Sequence, residues 1–314
     1  MTISLAIMLG AAMVGVLLPP RLDALRSTGI GATTLISCWV MSILGVVLAG
    51  MAAVMLLLLP DHGVPGRLVA AVSTCWVAVR HGVSPGVEEI SGLLGLLLLM
   101  VIAGRLVIVG RRLTARRARS YQERVAVLRL VARAEEGSPA ILWLAHDRPV
   151  AFSLSGRPSY LVATEGLSRC LTETQLEAVL EHERAHLRSR HHLLLGFVDV
   201  LALALPLVPL FRAAPNALRE LAEWAADAAA ARRFGVEVVR AALMRVGYGG
   251  EPEAALAFGR DAIETRLQQL ASSAEPPGRV HRCAAGCLAA GAPFSPFLTA
   301  AVLFAVSSSL FCSG

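Results

Sequence analysis

The chain has 314 residues, 55% of them hydrophobic, with a mean hydropathy of +0.63 and a formal net charge of +6. That composition excludes an ordinary soluble domain and a disordered chain, and the length leaves room for several membrane spans beside one folded domain. Its six cysteines contain no Cys-x-x-Cys pair, which excludes a zinc ribbon.

Ile3–Leu18 is the first apolar run. It has no basic n-region and no small-residue cleavage site before Pro19-Pro20, so it reads as a retained span and not as a cleaved signal. Thr33–Leu59 and Leu93–Gly110 are the second and third runs, and Arg105 near the end of the third is placed to snorkel. Arg111, Arg112, Arg116, Arg117, Arg119 and Arg124 follow at once, and the positive-inside rule puts them in the cytoplasm. Anionic lipid headgroups are their expected partner, and no direct nucleic-acid contact is expected. Alternation from there places Pro60–Ser91 outside the cell. Gly286–Phe311, with Pro293 and Pro296, is a fourth span. The expected map is three transmembrane helices within 1–110 (about 3–18, 33–59 and 93–110), a cytoplasmic domain over 111–282, and a last helix at 286–311.

Within the domain, Ala140–Ala145, Ala151–Ser155 and Ser159–Ala163 read as short strands, and an edge strand among them could pair with an extended substrate. Thr172 and Gln175 fit a capping box, and Leu176, Val179, Leu180 and Leu187 give the following helix its apolar stripe. On that helix stands His182-Glu183-Arg184-Ala185-His186, an HExxH zinc-hydrolase signature. Histidines four apart share one helical face and can offer two imidazole nitrogens to one Zn²⁺. Glu183 is then the general base. A third protein ligand is needed, and Glu223 is assigned that role, with Glu220 as its rival. Asp227, one turn on, is assigned to orient a ligand histidine through its other ring nitrogen. Pro215-Asn216 can start this second helix and Gly235 can end it. His191 and His192 lie off the zinc face and read as surface residues, with His192 the candidate to reach a transition-state oxyanion.

Leu193–Phe211 is long enough to cross a bilayer, yet one crossing would put Glu223 on the opposite side from the two histidines. Asp199, Pro206 and Pro209 also argue against a simple span. The expected solution is a buried or interfacial hairpin that keeps the site near the membrane.

His182-Glu183-x-x-His186 with Glu223-x-x-x-Asp227 resembles the gluzincin membrane peptidases. The segment Val150–Val162 is similar to the hairpin before the zinc helix of the BlaR/MecR antirepressor peptidases. Thr164-Glu165-Gly166-Leu167 and Leu171-Thr172 resemble the related HtpX-like and CAAX-prenyl peptidases, as does Arg190-His191-His192, which stands where BlaR/MecR chains often carry an aspartate. The resemblance covers roughly residues 140–270. It implies a multi-pass α-helical membrane protein of the cell membrane with a cytoplasmic α+β zincin (gluzincin) domain, working as a zinc endopeptidase. On the BlaR/MecR side the protein substrate would be a cytoplasmic winged-helix repressor. The alternatives are an HtpX-like quality-control protease and a non-catalytic membrane scaffold or signalling protein with a vestigial zinc site.

Overall fold

A computed structural model describes residues 2–58, 87–248, 256–272, 286–287 and 290–312. The expected outer loop and the linker after 272 lie largely outside the described residues.

Helix α1 (Thr2–Ala24) and helix α2 (Ala32–Leu58) form an antiparallel pair joined by a 3-10 turn at Leu25–Thr28. Small residues let them close on each other: Ile7 and Ala11 meet Ala49 and Ala53, and Ala300 of the last described helix, α10 (Ser295–Cys312), joins the same cluster. Gly10 is required there, because a Cβ would come 2.5 Å from the Pro296 carbonyl oxygen. Helix α3 (Val87–Val131) is 45 residues long, about 68 Å at 1.5 Å per residue. The third apolar run and the arginine block are therefore one rod, which carries the chain from the apolar bundle onto the folded domain. Among the described residues, three helices are long and apolar enough to cross a membrane, those at Ser4–Thr28, Ala32–Leu56 and Leu93–Val131.

Strand β1 (Ala132–Glu135) follows the rod, then β2 (Ala140–Leu144), β3 (Ala151–Leu154) and β4 (Tyr160–Thr164). Their order is β1-β2-β4-β3; β2 and β4 are parallel and the outer pairs antiparallel. Strands β2 and β4 are largely apolar because both faces are covered. Val125 and Leu128 of α3 pack on Leu142, Leu154 and Val162. Ile141, Trp143, Leu161 and Ala163 face the other way, against Leu167 and Leu180. Strand β1 has no apolar alternation in its Ala-Arg-Ala-Glu sequence; only its pairing with β2 makes it a strand.

Helix α4 (Glu165–Cys170) is capped by Thr164, whose hydroxyl accepts from the Leu167 amide at 3.3 Å. Gly166 allows the Asp147 carbonyl to approach where a Cβ would sit 1.9 Å from its oxygen. Helix α5 (Glu173–Arg188) starts at the expected capping box, with both reciprocal bonds between Thr172 and Gln175 formed.

The apolar run at 193–211 is broken. Helix α6 (His191–Ala204) has 14 residues, about 21 Å, against a hydrocarbon core of ~30 Å. Leu205–Val208 turns the chain, and helix α7 (Pro209–Phe234) returns along α6. Helix α7 begins at Pro209, six residues before the expected start at Pro215. Proline is well suited to the first turn, and a second one at 215 costs the helix one amide donor without ending it. Helix α7 packs into α1 and α2 through Leu210, Phe211, Leu218 and Trp224 against Leu35, Trp39 and Ile43. Helix α8 (Val236–Tyr248) packs on α5 and α7, and α9 (Leu256–Ser272) lies across α7 and α8.

Candidate metal centre

Two helices build the site. Alanines 178 and 185 on α5 and 222, 226 and 230 on α7 are buried, so the two axes can approach closely. Side chains that reach across the seam then meet. His182 Nε2 and His186 Nε2 are 3.2 Å apart. Glu223 Oε2 is 3.4 Å from His182 Nε2, and Glu223 Oε1 is 3.4 Å from His186 Nε2. The ligand atoms of these three residues all lie within 4.8 Å of one another, a set able to hold a metal ion. Ligands ~2.0–2.1 Å from a tetrahedral zinc stand about 3.3 Å apart; the two ring nitrogens stand at that spacing, each is near one oxygen of Glu223, and the N/N/O donor set fits Zn²⁺.

Asp227 is buried, and its Oδ1 accepts from His182 Nδ1 at 2.9 Å, which leaves Nε2 aimed at the other two donors. Glu183 is hydrogen-bonded to Ser153 of β3, the edge strand. Glu220, the rival for Glu223, points away to pair with Arg26 in the turn between α1 and α2. His192 lines the cleft of about 570 Å³ that opens beside His186 and Glu223.

One expectation is corrected. His191 is not a surface residue. It is 5% exposed, and its Nδ1 lies 3.0 Å from His186 Nδ1. The helix ends at Arg188 with Ser189 as its cap, and Arg190 adopts φ +50°, which folds the first residue of α6 back beside His186. Helical periodicity alone cannot foresee that break. Arg266 of α9, beside Asp227, is a residue that the sequence reading did not name. Its Nε and Nη2 donate to Asp227 at 2.7 and 2.6 Å, and its Nη1 lies 3.5 Å from Glu223 Oε2. No spacing rule links a residue 39 positions beyond Asp227 to the motif.

The electrostatics follow from this packing. Burial alone would lower the pKa of His182, but the Asp227 and Glu223 carboxylates outweigh it and push the value up to about 9. His186, buried and beside that charge, is pushed down to about 4. Burial would raise both Glu223 and Asp227; hydrogen bonds from His182 and the charge of Arg266 hold them below the ordinary carboxylate range. Burial lifts Glu183 above its ordinary value.

Residues 112–247 match the family model described as Peptidase family M48. Over that range the chain is similar to the M48 peptidases. That range contains the sheet, α5 with its HExxH, and α7 with Glu223 and Asp227. A protein named "Protease HtpX homolog" from Desulforapulum autotrophicum is 41% identical over 66 residues, which is 20% of this chain and 21% of that protein. The chain thus covers about a fifth of the length of that curated relative. The resemblance to the membrane metallopeptidases is therefore shown at the level of the M48 and HtpX type.

Proposed function

We propose that this protein is a membrane-embedded, zinc-dependent endopeptidase of HtpX-like type, cutting protein substrates at the cytoplasmic surface of the cell membrane. The observation that carries the reading is the convergence of the His182, His186 and Glu223 donor atoms, the two ring nitrogens 3.2 Å apart and each 3.4 Å from a different Glu223 carboxylate oxygen, with Glu183 beside them. When bound, zinc supplies Lewis-acid chemistry that polarises the scissile carbonyl and acidifies the attacking water. Glu183 takes the proton from that water and passes it to the leaving amine. Asp227 keeps the His182 ring turned towards the ion. Strand β3 is an edge, so an extended peptide can add to it and be held by main-chain hydrogen bonds with little sequence demand. His192, on the cleft wall, is our candidate to meet charge developing on the carbonyl oxygen. The resemblance of Val150–Val162 to antirepressor peptidases supports a second reading of the substrate, a cytoplasmic repressor.

The test is hydrolysis of an unfolded protein by the purified chain. Cleavage that a chelator stops and zinc restores supports the reading; cleavage indifferent to both, or none with zinc bound, counts against it. Glu223→Ala should weaken zinc binding and Glu220→Ala should not, measured by competition with a chromogenic chelator. The reverse result would exchange their roles.

The membrane placement rests on a belt of ion pairs. Arg117 and Arg219 each reach Asp199 at 2.6 Å, and Arg26 pairs with Glu220. Beyond the belt the α6–α7 hairpin is apolar and open: Leu203 is 57% and Leu207 93% exposed, and Gly15 of α1 lies beside Val208. Arg105 donates to the Leu203 carbonyl at 3.4 Å, satisfying a helix end at that depth. We read the hairpin as dipping into the bilayer and returning, so that Glu223 lies about one helical turn from the membrane surface. A reporter active only outside the cytoplasm, fused after Arg190 and after Phe234, should be silent in both positions. Activity at Phe234 alone would make 193–211 a true span and exclude Glu223 as a ligand.

A further inference from the structure

We infer that Arg266 positions His182 for the metal, acting through Asp227. The inference rests on His182 being a zinc ligand, as proposed above. Asp227 is only 2% exposed, and one of its oxygens serves His182 Nδ1 at 2.9 Å. A carboxylate with a single partner could rotate about χ2, which is a soft torsion. Arg266 removes that freedom. Its Nε and Nη2 grip both carboxylate oxygens, at 2.7 Å to Oδ2 and 2.6 Å to Oδ1, the fork geometry that only arginine supplies. With the carboxylate plane fixed, Oδ1 stays in line with Nδ1–H, the ring keeps one tautomer, and Nε2 stays turned to His186 and Glu223.

The arginine also keeps the charge count near balance. Glu223 and Asp227 bring two negative charges to one face of α7, and the guanidinium lies against both, with Nη1 3.5 Å from Glu223 Oε2. The residue comes from α9, outside the α5–α7 pair that carries the three candidate ligands, so the support of Asp227 is complete only when α9 is docked across α7. Arg266 touches neither metal nor substrate; it is a positioning residue.

Zinc affinity of the full chain in detergent, read by chelator competition at fixed pH, tests the inference. Arg266→Gln should bind zinc roughly 10–100-fold more weakly, the range found when groups that orient metal ligands are removed. Arg266→Lys keeps the charge but loses the fork; an intermediate loss is expected, and it stands in where the glutamine variant does not fold. A structural role for Arg266 is separated by a double-mutant cycle with Asp227→Asn. If Arg266 acts through Asp227, the double variant should be no weaker than Asp227→Asn alone. Losses that add in full would mean that Arg266 works by another route, such as Glu223, and would overturn the inference, as would wild-type affinity in both Arg266 variants. If the unmodified chain takes no zinc, the proposed function itself fails. Zinc binding in the unmodified chain that Arg266→Gln leaves unchanged removes only this inference.

Discussion

Glu183→Gln is expected to hold zinc at the wild-type level and to lose roughly 10²–10⁴-fold in hydrolysis, the range for removal of a general acid–base group. The two halves of that result come from different parts of the geometry. Glu183 is not among the three residues whose donor atoms converge, so its amide should not disturb the metal set. It is instead hydrogen-bonded to Ser153 on the edge strand, where the scissile peptide would lie. A glutamine keeps the size of the side chain and its bond to Ser153, and can no longer accept the proton. Zinc content by elemental analysis and turnover on an unfolded protein would be measured on the same preparation. Normal turnover would remove Glu183 from the reaction; lost zinc would make it part of the metal set.

His182→Ala and His186→Ala should each lose stoichiometric zinc, with affinity falling by more than the roughly 10–100-fold that loss of a group orienting a ligand costs. Zinc uptake by the wild-type chain should in addition depend on pH in a stated direction. The pKa of His182 is pushed up to about 9, so the ring carries a proton throughout the neutral range. Coordination through Nε2 must displace that proton, whereas His186, pushed down to about 4, has none to give. Affinity should therefore fall about tenfold for each pH unit below about 9, and binding at pH 7 should release close to one proton from the histidine pair. Calorimetry in buffers of different ionisation enthalpy would count it. Retention of full zinc by both alanine variants would dismantle the site.

Local periodicity and local chemistry are written in the chain. The spacing of His182 and His186, the capping box at Thr172 and Gln175, the apolar runs, and the one-turn spacing of Glu223 and Asp227 each involve residues within a turn or two of one another. Hydrogen-bonding and hydropathy rules act at that range, so these elements are legible in the amino-acid sequence alone. So is the objection that one crossing at 193–211 would separate the zinc ligands.

Contacts between segments distant in sequence are not. β1 is a strand because β2 lies beside it, not because of its own composition. His191 joins the site because a left-handed Arg190 reverses the chain. Glu223 and Glu220 have nearly the same helical phase; Glu220 pairs with Arg26, and Glu223 is the one that reaches the two histidines. Arg266 reaches Asp227 from 39 residues away because α9 docks across α7. The sequence by itself determined which groups can bind and activate a metal. Only the tertiary structure decided which of them meet, because packing of distant helices carries no local signature in the chain.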